Sequence, residues 1–99
     1  MNSKFTSTLA IGQYEIIKYI HKGLVIPSCT KRTEYSILEI DDNYITIKGK
    51  QTKKYDIPFK GIIKAYSNRL WEGGQKNGFD PYNAAIALYI YKCLAKETV

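Results

Sequence analysis

The chain has 99 residues and a mass of 11.4 kDa, which is enough for one hydrophobic core and too little for two. Hydrophobic residues make up 44% and charged residues 24%, which excludes a disordered chain, while 7 Gly, 3 Pro and 2 Cys exclude collagen-like and disulfide-dense proteins. Fifteen Lys and Arg against nine Asp and Glu give a net charge of +6, which favours polyanionic partners but is also ordinary for a small soluble domain.

The chain start is predicted to be a polar leader over residues 1–11, followed by a single α+β domain over residues 12–99. The apolar piece at 9–11 is too short for a signal peptide. The longest apolar run, residues 84–91, is far below the ~20 residues that span a bilayer. We therefore expect a cytoplasmic protein with no membrane partner.

A short first helix is predicted over residues 12–22. Its helical spacing is carried by three isoleucines, Ile16, Ile17 and Ile20. Gly23 follows where a left-handed glycine commonly ends a helix. The alternative is a strand that pairs Tyr14, Ile16 and Tyr19.

Residues 24–58 are predicted to form a hairpin meander of four strands. Pro27 lies at the end of the first segment and favours a position near an edge of the sheet. A tight turn is expected at 41–43, because Asp and Asn tolerate a positive φ. The predicted strands are 24–26, 35–40, 44–48 and 53–57.

Two helices complete the predicted fold. The first carries an amphipathic stripe of Phe59, Ile62, Ile63, Tyr66 and Leu70, and is expected to end at Gly73 and Gly74. The second begins at Asp80, a good N-cap, with Pro81 at the first helical position. The expected architecture is α+β: an antiparallel four-stranded meander sheet with a short N-terminal helix and two C-terminal helices packed on one face.

The basic residues are predicted to gather at one end of this sheet, since alternate turns of a meander lie at the same end. The turn at 41–43 carries Asp41 and Asp42 and would lie at the opposite end. Six basic residues lie in the two other turns. If all six contacted phosphates of a duplex, the logarithm of the binding constant K would fall with log[salt] with a slope of roughly −5. Lys60 and Lys64 could extend this surface along the second helix. The predicted phosphate-binding residues are Lys31, Arg32, Lys48, Lys50, Lys53 and Lys54.

Tyrosine is abundant, with nine in the chain. Tyr35, Tyr44 and Tyr55 lie on three adjacent predicted strands. If they share an uncovered face, Tyr35 and Tyr44 could stack bases or form a protein interface. The competing interpretation is core packing, because Tyr55 shares its face with Ile57.

No motif predicts catalysis. The glycine-rich stretch 73–80 lacks the Lys-Ser/Thr that follows the last glycine of a phosphate-binding loop, so it is interpreted as a helix–helix connection. His21 is expected in the last turn of the first helix, in a structural role. Cys29 and Cys93 have no metal-ligand spacing and are expected to be reduced thiols. We expect no enzymatic activity, no metal and no cofactor.

Two hypotheses of function remain. The first is a small basic non-catalytic binding module for nucleic acid or a phosphate-bearing nucleotide. The second is a protein-interaction module whose basic loops steer it toward an acidic protein surface, such as a small phage-type inhibitor of a host defence protein. A homo-oligomer with a nucleotide-sequestering pocket between subunits belongs to this second class.

Overall fold

The structure is a computed structural model that describes residues 11–49, 53–72 and 80–97. Its elements follow the predicted α-β-β-β-β-α-α order, and the α+β class is confirmed. They are α1 (Gln13–Tyr19), β1 (Val25–Pro27), β2 (Glu34–Ile40), β3 (Tyr44–Lys48), β4 (Lys54–Pro58), α2 (Phe59–Ser67) and α3 (Pro81–Glu97).

The four strands form one antiparallel sheet in sequence order, so the predicted meander is confirmed. A bulge between Ile37 and Glu39 inserts one extra residue, Leu38, into β2. Ile37 pairs with Ile47 and Ile40 with Ile45. Because side chains alternate along a strand, residues 37 and 40 could not face the same side without this insertion.

The hydrophobic core lies between one face of the sheet, called here the covered face, and the three helices. β3 and β4 show the expected alternation, since Ile45 and Ile47 are 0% exposed and Ile57 is 5% exposed. Ile11 is also buried, at 6% exposure, so this residue of the predicted leader belongs to the core. The rest of the predicted leader, residues 1–10, lies outside the described residues.

Helix α1 is shorter than predicted. It begins after Gly12, whose amide donates to the Glu15 Oε1 atom at 2.8 Å, and it ends at Tyr19. Ile20 has extended backbone angles (φ −109°, ψ 125°) and a fully buried side chain. The chain therefore leaves the helix at this residue and buries Ile20 from an extended segment. Gly23, with φ +91°, lies in the turn before β1 instead of at the helix end.

The side chains of this segment differ in burial. Ile17 is 51% exposed, whereas Ile16 and Ile20 are fully buried. His21 lies beyond the end of α1 and is exposed, with Nδ1 3.2 Å from the Lys22 carbonyl oxygen. The predicted placement of His21 in the last turn of the helix is wrong, because the chain has already become extended there.

Helices α2 and α3 confirm most of their predicted features. The Phe59 amide donates to the Asn43 carbonyl at 2.9 Å, so α2 begins beside the turn at 41–43. Asp80 caps α3, because its Oδ1 atom accepts from the amides of Tyr82 at 2.9 Å and Asn83 at 3.3 Å. Helix α2 ends at Ser67, before the predicted end; residues 73–79 lie outside the described residues.

Candidate functional site

Two loops that carry basic residues lie at the same end of the sheet. The pair Pro27 and Glu34 closes the β1–β2 hairpin, and the pair Lys48 and Lys54 closes the β3–β4 hairpin. The two hairpins are neighbours, since Ser36 of β2 pairs with Lys48 of β3. We call this surface the basic end and define it by Lys31, Arg32, Lys48, Lys53 and Lys54. The sixth predicted residue, Lys50, lies outside the described residues.

Four of the five cations of the basic end are exposed, and none of the five forms an ion pair with a carboxylate among the described residues. Only Lys48 is half-buried; the other four are exposed. None of the five lies within 4.0 Å of a carboxylate in the described part of the chain. The ion pairs found there join Lys18 to Glu97, Lys22 to Glu39 and Arg69 to Glu72.

Backbone and hydroxyl contacts organise the loop between β1 and β2. Ser28 is 6% exposed; its amide donates to the Thr33 carbonyl at 2.9 Å, and its hydroxyl accepts from the Thr33 amide at 3.4 Å. The Lys31 amide donates to the Ser28 carbonyl at 3.0 Å, and Lys31 has φ +63°, which reverses the chain within a few residues. The loop therefore holds Lys31 and Arg32 on its outer side.

A surface depression of about 540 Å³ adjoins this loop on the face of the sheet without helices, called here the uncovered face. Val25, which is 49% exposed, and Pro27 give it an apolar side. Its polar lining includes Lys31, Arg32, Glu34 and Ser36. Neither Val25 nor Glu34 was predicted to bind a ligand. Strand alternation, which turns both away from Ile26 and Tyr35, was the available signal.

Tyr35, Tyr44 and Tyr55 do not share an uncovered face, so the condition stated above for base stacking is not met. Tyr35 is 8% exposed on the covered face, with its ring centroid 4.9 Å from that of Tyr82. The ring centroid of Tyr55 lies 4.8 Å from that of the same Tyr82 ring. Burial raises the pKa of the Tyr35 hydroxyl. Tyr44 is 37% exposed on the uncovered face but lies beside Pro58, at the end opposite the basic end.

The expected extension of the basic surface along α2 is also wrong for Lys60. This residue follows Phe59, whose amide contacts Asn43, so it lies at the end of the sheet that carries Asp41 and Asp42. Lys64 is one helical turn further along α2. Lys60 lies at the opposite end because β4 runs away from the basic end before α2 begins.

The remaining reactive side chains are not gathered into a site. Burial raises the pKa of the Cys29 thiol, with Lys92 opposing, and burial also raises the pKa of Cys93. Neither thiol therefore has the lowered pKa of a nucleophilic cysteine. Within residues 11–49, 53–72 and 80–97, no three His, Cys, Asp or Glu side chains are grouped as metal ligands.

Comparison of the chain with protein-family models, with curated proteins and with solved structures finds no significant match. Among the helices in the described ranges, none combines the length and the hydrophobicity needed to cross a bilayer.

Proposed function

We propose that this protein is a non-catalytic binding domain for nucleic acid, with the phosphate backbone held at the basic end. One observation carries the proposal: two separate loops bring Lys31 and Arg32 beside Lys48, Lys53 and Lys54, without a described carboxylate in ion-pair contact. Phosphate contacts of this kind supply most of the affinity of non-specific nucleic-acid binding.

The chemistry of the side chains sets the expected character of this binding. Four of the five described cations are lysines, which act as point charges on flexible stems and lack the fixed fork that Arg offers to a base. Binding should therefore be sensitive to salt and only weakly selective for sequence. Contacts from all five to a duplex would give a slope of log K against log[salt] of about −4.5.

The test is a titration of labelled duplex DNA at several salt concentrations, read by fluorescence anisotropy. The double substitution Lys53→Glu with Lys54→Glu changes two exposed side chains that have no described ion pair. It should weaken binding by a factor of about ten or more, and it should reduce the magnitude of the salt slope by about 1.8.

The chain offers a matched control for net charge. Lys60→Glu with Lys64→Glu makes the same change in charge on two exposed residues of α2, outside the five residues that define the basic end. This variant should keep most of the affinity of the unmodified protein. Equal losses in the two double variants would contradict a localised surface, and no binding by the unmodified protein would contradict the proposal altogether.

A protein-interaction module is the second candidate, and a different surface favours it. Tyr14 is 70% exposed and Ile17 is 51% exposed, one turn apart on α1. Exposed aromatic and aliphatic side chains of this kind often anchor protein interfaces. A salt-stable oligomer in light scattering that dissociates after Tyr14→Ser with Ile17→Ser would favour this candidate over the first.

A further inference from the structure

The depression beside the basic end combines positive charge with two features that a phosphate site alone does not need, an apolar surface and a carboxylate. Val25 and Pro27 form an apolar surface, Lys31 and Arg32 supply positive charge, and Glu34 brings a carboxylate to the same lining. Its volume of about 540 Å³ lies within the usual range of small-ligand sites, roughly 300–1,000 Å³.

Glu34 distinguishes this depression from a site that binds phosphate alone. It is exposed, and it forms no ion pair within 4.0 Å in the part of the chain that the structure describes. A carboxylate repels phosphate, so its presence weakens the binding of a ligand that offers only phosphate groups. It is also a strong hydrogen-bond acceptor, and the amino group of a nucleobase such as cytosine is a donor that suits it.

From this arrangement we infer that the depression binds one unpaired nucleotide of a single-stranded nucleic acid. The base lies against Val25 and Pro27, its amino group donates to Glu34, and the adjoining phosphates contact Lys31 and Arg32. A paired base in a duplex has both faces stacked on its neighbours, so it cannot lie against Val25 and Pro27 in this way. The inference rests on the proposed function, because the same basic end attracts the strand.

The strand preference runs against simple electrostatics, which makes it testable. A duplex has the higher charge density and would bind a purely electrostatic surface more tightly than a single strand does. The probes are a cytosine-rich single strand, the duplex formed with its complement, and inorganic polyphosphate. With the full chain, the single strand should bind about tenfold more tightly than either of the other two.

The Glu34→Gln variant separates the inference from the proposed function. Loss of one negative charge should tighten polyphosphate binding, whereas loss of the charged acceptor should weaken single-strand binding about tenfold. Glu39→Gln is the matched control: it removes the same charge from an exposed residue that faces the same side as Thr46, further from the basic end. It should tighten all three probes slightly.

Effects of opposite sign on the single strand and on polyphosphate in Glu34→Gln would support the inference. If this variant tightens all probes alike, the depression holds no base; the inference is then overturned and the proposed function stands. If Lys53→Glu with Lys54→Glu also leaves every probe unaffected, the proposed function fails as well. Far-ultraviolet circular dichroism of each variant verifies that the fold is retained.

Discussion

The two faces of the sheet are built from alternate residues of the same strands, yet they differ in almost every property. The covered face of β3 carries Ile45 and Ile47, which are fully buried. The uncovered face carries Tyr44, which is 37% exposed, and Thr46, whose hydroxyl donates to Asp56 Oδ1 at 2.8 Å. The buried face therefore supplies most of the stability, whereas the other face and the basic end are exposed to solvent. Substitutions on the two faces should therefore have separable effects.

Truncation of neighbouring residues of β3 tests whether the two faces contribute differently to stability. Ile47→Ala leaves a cavity in the core and should lower the free energy of unfolding by about 2–5 kcal/mol. Thr46→Ala removes one partly exposed hydrogen bond and should cost about 0.5–1.5 kcal/mol. Urea denaturation measures both. Similar losses in the two variants would show that the faces are not divided in this way.

Strand alternation made this division predictable over β3 and β4. The positions of Ile45, Ile47 and Ile57 follow from the period of two, and the Asp-Asp-Asn turn fixes where β3 begins. The bulge at Leu38 was not predictable, because nothing in the local sequence marks the extra residue. The end of α1 was missed for another reason: the helical spacing continues to Ile20, but tertiary burial of that side chain in an extended segment overrides it.

The candidate site, like the fold, was predictable only in part. The sequence predicted that the two basic loops would share an end, because that depends only on the order of the strands. It left open whether Tyr35 and Tyr44 share a face, since that depends on the register between β2 and β3. The direction of β4 relative to α2, which separates Lys60 from the basic end, likewise requires the assembled fold.

A smaller effect is expected where the covered face depends on the start of α3. Tyr82 packs against both Tyr35 and Tyr55, and Asp80 caps the helix just before it. Asp80→Ala should destabilise the protein by about 1 kcal/mol, because two helix amides lose their acceptor. Asp80→Asn keeps a capping oxygen and serves as the control, with a much smaller loss. A shift of the thermal midpoint that is equal in the two variants would mean that capping contributes little here.

The smallest effect is expected on the helical side, where the ion pair between α1 and the end of α3 is in solvent. Lys18 Nζ lies 3.4 Å from Glu97 Oε1, and the two side chains are 42% and 48% exposed. The nearby Tyr19 hydroxyl and the Lys18 ammonium hold the pKa of Glu97 below its ordinary value of 4.5. The hydroxyl is buried without a well-aligned hydrogen bond, so the ion pair is the firmer of the two contacts.

A lowered pKa in the folded state means that this contact stabilises the protein above pH 4.5 and loses its effect as the pH falls through the folded value. Thermal midpoints of the unmodified protein and of Glu97→Gln should therefore differ slightly near neutral pH and converge in acid. Exposure keeps the difference small, since solvent screens the pair. A difference that grows as the pH falls would have the wrong sign for this ion pair. A destabilisation by Glu97→Gln as large as that by Ile47→Ala would contradict the small contribution expected of an exposed ion pair.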